Sequence, residues 1–288
     1  MAAYRLLARA LAGLVIMGLT YGVAVTPALA LTLFPTRIVL DESTRAAQLQ
    51  IINNGDRPKR YVIEWRAMAM DGDGTLRLTD PSALDTPQAS DYLISGPRQA
   101  IVPPGGYQVI RILSRLPPDA PDREYRSHLM ISEPSMDETS PIPPGGEDGI
   151  AIEIETMVRT TIPVILRQGD LRGTLEPTRF WFERNAADGP ILGVLFERQG
   201  ARSINAKATL TWAGNDGPET ILTERRFATY TEIRQRRLIH RLPSLEEMDL
   251  EGGTIEYTLE RLNQSGDPAG RIFRRTLNPL ALPGSEAP

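Results

Sequence analysis

The stretch PRQAIVPPGGYQVIRIL, Pro97 to Leu113, is the best indicator of the fold class. PPGG is a turn signal, and the run after it alternates with the period of two that an extended strand has. Tyr107, Val109 and Arg111 therefore share one strand face, which is apolar apart from the arginine. A guanidinium on such a face must reach solvent at the sheet margin or find a carboxylate, because an unpaired buried charge is costly.

Short alternating runs between turn signals continue along the whole chain after residue 30, which predicts an all-β protein. In the first half, strands are predicted at Thr32–Leu40, Ala47–Asn53, Arg60–Met68, Tyr107–Ser114, Glu124–Ser132 and Ile150–Leu166. In the second half, they are predicted at Arg179–Glu183, Ile191–Phe196, Ala206–Trp212, Thr220–Thr229, Gln235–His240, Thr254–Leu259 and Arg271–Leu277. The one helix-like piece is Ser244–Gly253, where Ser244 and Glu247 resemble a capping box.

The chain has 288 residues, enough for two domains that each bury a core. The polar, Gly-containing RQGDLRG at Arg167–Gly173 separates the two sets of predicted strands. We therefore predict a signal peptide at 1–30, a first β-sandwich domain at 31–168 and a second at 169–288.

The first thirty residues are typical of a secretory signal. Arg5 and Arg9 precede an apolar run, and Ala28-Leu29-Ala30 matches a small-x-small cleavage site. We expect export to the periplasm with cleavage after Ala30; the alternative is an uncleaved membrane anchor.

Composition excludes several classes of function. The formal net charge is -4, and loss of Arg5 and Arg9 lowers it to about -6, which argues against nucleic acid as a partner. The chain has no Cys, so disulfides, thiol catalysis and thiolate metal sites are excluded.

No catalytic or metal-binding motif emerges. His128 and His240 are far apart in the sequence, and DGDGTL at Asp71 lacks the spacing and bidentate Glu of a calcium loop, so a hairpin turn is the better interpretation. Glu153 and Glu155 alternate with isoleucines as on a solvated strand face. We therefore predict a protein that is not an enzyme, with no cofactor and no metal site.

The predicted strand from Ile150 is unusually long and carries Pro163, which a sheet tolerates at edges, strand starts or bulges. Its apolar alternation also fits an ordinary core-facing strand. A long open apolar edge is an aggregation hazard unless another chain pairs with it, and strand addition is a known mode of recognition.

These features together resemble the periplasmic chaperones of the chaperone-usher pathway, the PapD-like family. The matching segments are FPTRIVLDES, IINNGDRPKRYVIEW, GPRQAIVPPGGYQVIRIL and DREYRSHLMISEP, which together span most of 31–167. The resemblance implies two immunoglobulin-like β-sandwich domains in an L-shaped arrangement. It also implies a chaperone that stabilises pilus or fimbrial subunits by β-strand donation and delivers them to an outer-membrane usher.

The resemblance also assigns site residues. Arg37 would anchor the C-terminal carboxylate of the subunit, the alternative being a surface ion pair with Asp41 or Glu42. The family's second anchor, a Lys, falls on Pro163 here, and Arg159 is the candidate replacement. The donor strand would present Ile150, Ile152, Ile154, Thr156 and Val158.

By the same resemblance Arg111 would form an interdomain ion pair with Glu124, completed by an acidic residue of the second domain, with Arg126 competing for Glu124. The alternative function is a structural or adhesive two-domain β-sandwich protein of the envelope that pairs through its edge strand in a homo-oligomer. Self-association of the free chaperone would also cover that edge.

Overall fold

The computed structural model describes residues 31–134, 158–184, 189–214, 219–243 and 253–284. These ranges are all-β: they hold eighteen strands and a few short 3-10 turns, without an α-helix. No helix within them is long and apolar enough to cross a membrane. The predicted signal peptide lies outside the described residues, as does the helix-like segment apart from Gly253, which begins a strand.

The first sandwich consists of two main sheets and a separate hairpin. One sheet has the order β1-β3-β9-β7 and the other β2-β11-β10-β4-β8, while β5 and β6 pair with each other. The strands are β1 Leu31–Phe34, β2 Ile38–Leu40, β3 Ala46–Asn53, β4 Lys59–Arg66, β5 Met68–Met70, β6 Leu76–Leu78, β7 Leu93–Gly96, β8 Gln99–Val102, β9 Tyr107–Ser114, β10 Glu124–Glu133 and β11 Val158–Arg167.

The second sandwich has sheets of order β12-β13-β16 and β15-β14-β17-β18. Its strands are β12 Gly173–Glu183, β13 Ile191–Gly200, β14 Ile204–Gly214, β15 Thr220–Thr229, β16 Gln235–Arg241, β17 Gly253–Leu262 and β18 Pro268–Leu277. Between Arg167 and Gly173 the chain passes from the first sandwich to the second.

Each sandwich encloses its own core, built by the alternation visible in the sequence. In the first, Leu49, Ile110 and Ile112 are fully buried, and in the second Phe196 and Tyr257 are. Burial of these apolar faces removes them from water, which is the main source of stability in a chain without disulfides.

Two predicted strands are interrupted in the structure. Thr32–Leu40 divides into β1 and β2 around Pro35, because β1 pairs with β3 in one sheet while β2 pairs in parallel with β11 in the other. Arg60–Met68 divides after Arg66, where the chain leaves β4 for the β5-β6 hairpin. The short strands β7 and β8 escaped prediction, since four residues are too few to show alternation.

A third, small apolar cluster joins the two sandwiches. Val39, Met70 and Ile165 of the first sandwich pack against Tyr230 of the second. Tyr230 begins the loop between β15 and β16, residues 230–234, which we name the Tyr230 turn. Buried Arg198 holds the Tyr230 turn in place, because its guanidinium donates to the carbonyl oxygens of Thr231 and Ile233.

The DGDG segment forms the turn of the β5-β6 hairpin, as predicted, and this hairpin also touches the second sandwich. The amide of Arg237 donates to the carbonyl oxygen of Gly72 at 2.7 Å, and the amide of Met70 donates to Glu232 Oε1 at 3.1 Å. The hairpin is therefore part of the interdomain contact.

Candidate functional site

Strand β11 has an open edge along its first half. Val158 to Pro163 pair with Glu133 to His128 of β10, whereas β2, on the other side, pairs only with Val164–Leu166. The β10-β11 register shifts nowhere, so Pro163 marks an edge and not a bulge. Val158, at the start of this edge, is 48% exposed. The other predicted donor positions, Ile150, Ile152, Ile154 and Thr156, lie outside the described residues.

The open edge ends at a cleft between the two sandwiches. This cleft has a volume of about 740 Å³. Pro163, Phe34 and Arg37 line it from the first sandwich, while Arg226 and Tyr230 line it from the second. Among the described residues, no Asp or Glu contributes to its wall.

A smaller pocket of about 40 Å³, which we name the arginine pocket, lies against the same cleft and shares Arg37 with it. Four guanidinium groups line it, those of Arg37, Arg167, Arg202 and Arg261, and no carboxylate of the described chain does. Ser203 supplies a hydroxyl group to the same wall. The combination of cationic walls and neutral donors favours an anionic guest.

Arg37, the predicted carboxylate anchor, is placed between the cleft and the arginine pocket. Its side chain donates to Ser203 Oγ at 3.4 Å, and its guanidinium carbon lies 5.9 Å from the centre of the Tyr230 ring. Burial lowers the pKa of Arg37. The alternative surface ion pair does not form: Asp41 accepts from Ser43 and Thr44 instead, and Glu42 lies more than salt-bridge distance away.

Arg126 makes an ion pair between the two sandwiches. Its two terminal nitrogens donate to the two carboxylate oxygens of Glu232, each at 2.6 Å, and one also donates to the carbonyl oxygen of Met68 at 2.9 Å. The guanidinium carbon lies 4.0 Å from the centre of the Tyr230 ring. A bidentate, largely desolvated pair stacked on an aromatic ring fixes both partners in orientation.

The predicted Arg111–Glu124 pair is wrong. Arg111 lies exposed on β9, in the sheet opposite to β10, whereas Glu124 Oε2 accepts from Arg167 Nε at 3.0 Å. The same oxygen accepts from the amide and hydroxyl of Ser203 in the second sandwich, at 3.1 and 3.0 Å. Glu124 thus does join the two sandwiches, but through Arg167 and Ser203.

Arg159, the predicted replacement for the second anchor, does not reach the cleft. It lies exposed on β11 opposite Ser132, four residues before Pro163, and lines neither the cleft nor the arginine pocket. At about 3.3 Å per residue, that separation is roughly 13 Å along the strand. Arg37 and Arg159 are therefore not brought together.

The two histidines are buried and separate, one in each sandwich. His128 packs edge-on to Tyr230, and burial, reinforced by Arg126 and Arg37, lowers its pKa to about 3. Burial lowers the pKa of His240 to about 4, and its ring lies 3.4 Å from the Tyr257 hydroxyl. Within the described ranges, no group of three or more metal-ligating side chains occurs.

Sequence reasoning missed the contribution of the second sandwich to this site. Tyr230 and Glu232 lie in the Arg-rich run 223–241, where no site residue was predicted. A signal was available in the segment TYTEIR, which interrupts the alternation between two predicted strands. It contains an aromatic and an acidic residue. Arg202 and Ser203, just before β14, carried no signal at all.

The chain is similar to several solved chaperone structures at low sequence identity. No family model matches the chain, and no curated protein sequence does. Among solved structures, the YadV chaperone is 12% identical, with 86% of this chain and 100% of that chain covered and a TM-score of 0.45. The Pseudomonas aeruginosa CupB2 chaperone is 16% identical, with 85% and 97% covered and a TM-score of 0.42.

A third structure is the Salmonella enterica SafA pilin in complex with the SafB chaperone. It is 15% identical, with 88% of this chain and 98% of that chain covered and a TM-score of 0.43.

Proposed function

We propose that this protein is a periplasmic chaperone that binds pilus or fimbrial subunits by donating a β-strand. The observation that carries the proposal is the meeting of two features at Pro163. The open edge of β11 ends there, and the arginine-lined cleft begins there. An incoming chain could pair with the edge through main-chain hydrogen bonds and place an anionic end in the cleft.

The direction of the edge supports this arrangement. Strand β11 runs from exposed Val158 towards the cleft at Pro163, and the apolar positions Ile150, Ile152 and Ile154 precede it in the sequence. A subunit that lacks one strand of its own sandwich would gain both the missing ladder and an apolar row. Shielding of the subunit core from aggregation follows, and delivery to an outer-membrane usher is the expected next step.

The test is the native mass of the tagged protein purified from the periplasm of its own host under fibre-producing conditions. We expect a one-to-one complex with a smaller β-rich protein. A bare monomer would contradict the proposal, and a homo-oligomer would favour a structural protein that pairs through the same edge.

A second experiment tests the proposed donor strand. Ile152→Asp combined with Ile154→Asp should abolish recovery of the subunit without unfolding the chaperone. The matched control, Glu153→Ala with Glu155→Ala, changes the alternate positions of the same segment and should retain the subunit. Equal recovery with both double variants would reject strand donation by this segment.

A further inference from the structure

The four guanidinium groups of the arginine pocket differ in their partners. Arg167 is held by Glu124 at 3.0 Å, and Arg261 donates to the carbonyl oxygen of Gly173 at 3.0 Å. In the described part of the chain, neither Arg37 nor Arg202 has a carboxylate within 4.0 Å, and Arg37 has only the long contact to Ser203. These two cations are therefore not ion-paired within the described chain, although the Glu124 carboxylate attracts both of them and Asp170 also attracts Arg202.

These two cations come from different sandwiches. Arg37 precedes β2, and Arg202 lies in the turn between β13 and β14. Ser203, the neighbour of Arg202, accepts from Arg37 and joins the two sides. Both arginines are half-buried, and burial together with Arg167 and Arg261 lowers the pKa of Arg202. Half-buried cations that repel one another gain most from a shared anion.

The size of the pocket selects among anions. Its volume is about 40 Å³, which admits a small anionic group and not a bulky one. A carboxylate, with one carbon and two oxygens, has this size. Two oxygens can also accept from two guanidinium groups at once.

We propose that Arg202 is the second anchor of the carboxylate and that, with Arg37, it forms a clamp spanning both sandwiches. The clamp deepens the proposed function and rests on it, because its ligand would be the free C-terminal carboxylate of the bound subunit. The ligand would then bridge the two sandwiches, and a subunit with a blocked C-terminus would lose both anchors together.

The probe is the peptide Ac-Ala-Ala-Ala with a free carboxylate, compared with its C-terminal amide at constant ionic strength. The readout is the set of arginine side-chain Nε–H signals in ¹⁵N NMR spectra, assigned with the Arg37→Gln and Arg202→Gln variants. We expect the Arg37 and Arg202 signals to follow one saturation curve with the acid and to stay in place with the amide.

Variants sharpen the test. Arg202→Gln should weaken binding of the acid about tenfold, as expected for loss of one charge-assisted contact, and Arg202→Lys should restore part of the affinity. Arg184→Gln, an exposed arginine at the end of β12, is the matched control and should bind as the wild type does.

Three outcomes overturn the clamp: the Arg202 signal stays in place while that of Arg37 moves, neither signal moves, or Arg202→Gln binds as tightly as the wild type. The periplasmic purification judges the chaperone function separately. A subunit recovered equally well by Arg202→Gln keeps the chaperone and rejects the clamp. Signals that move together without any recovered subunit keep the anion clamp and reject the chaperone.

Discussion

Arg126 and Arg37 lie against the same aromatic ring but in opposite electrostatic situations. Their guanidinium carbons are 4.0 and 5.9 Å from the centre of the Tyr230 ring. Arg126, whose side chain is 2% exposed, is paired with both oxygens of Glu232, whereas Arg37 has no carboxylate of the described chain within reach. The difference separates a cation that is ion-paired across the two sandwiches from one that we propose binds a ligand.

The largest expected effect comes from removing the partner of Arg126. Glu232→Gln leaves a buried guanidinium without its counter-charge, which should lower the free energy of unfolding by about 3–5 kcal/mol. Urea unfolding measures it. The matched control, Glu256→Gln, removes the partner of the half-exposed Arg274 and should cost about 1 kcal/mol or less. Equal losses of unfolding free energy in the two variants would show that the Arg126–Glu232 pair contributes no more than a surface ion pair does.

Arg37→Gln should have the complementary result. We expect subunit affinity to fall about 100-fold, or roughly 2.7 kcal/mol, because a charge-assisted pair with the carboxylate is lost. Stability should be unchanged or slightly raised, since a half-buried cation without a counter-charge is removed. Periplasmic pull-down and urea unfolding measure the two quantities, with exposed Arg57→Gln as the control. Full subunit recovery with Arg37→Gln would show that Arg37 is structural.

The buried imidazole of His128, which lies near both cations, makes the stability of the protein depend on pH. In the unfolded chain its pKa is about 6.5, whereas burial and then Arg126 and Arg37 hold the pKa at about 3 in the folded protein. Between the folded and the unfolded pKa, the unfolded state binds one more proton than the folded state. The stability that is present above pH 6.5 is therefore lost as the pH falls, by about 1.4 kcal/mol per pH unit.

The variant that isolates this effect is His128→Leu, since neither ring nitrogen has a hydrogen-bond partner in the described structure. Urea unfolding at pH 7.5 and 5.0 should show a loss about 2 kcal/mol smaller in the variant than in the wild type. The same loss in both proteins would mean that His128 titrates normally in the folded state.

The smallest effect is expected at Arg111. Because Arg111 is exposed on β9 and away from the interface, Arg111→Ala should change the free energy of unfolding by less than about 0.5 kcal/mol. Urea unfolding of Arg111→Ala and of Glu232→Gln under the same conditions measures the difference between the two losses. A loss comparable to that of Glu232→Gln would restore Arg111 to the interface.

Arg111 shows what the alternation of apolar and polar residues can and cannot predict. The pattern correctly grouped it with Tyr107 and Leu113, and these residues do share a face, which is the solvent-exposed one. The opposite face, with Ile110 and Ile112, is fully buried. Alternation separates two faces, but coverage by the second sheet decides which one is the core.

Pro163 and Glu124 illustrate the two kinds of site prediction. Pro163 has no amide hydrogen, so covalent structure limits it to an edge, a strand start or a bulge, and the strand pairing shows that it lies at an edge. Glu124 was correctly recognised as an interdomain residue, but its partner was not. Strand spacing cannot distinguish Arg111, Arg126 and Arg167 as partners, because they lie on three different strands.

The all-β class, the bounds of β9 and β15 and the hairpin turn at DGDG could be predicted from the sequence alone, because each depends on local alternation and backbone chemistry. Which arginine is paired with a carboxylate, and which is not, depends on how the two sandwiches pack. Arg126 and Glu232 are 106 positions apart, and Arg37 and Ser203 are 166 apart. Ion pairing depends on contacts of about 3 Å and on burial, and both arise only when the two sandwiches pack together.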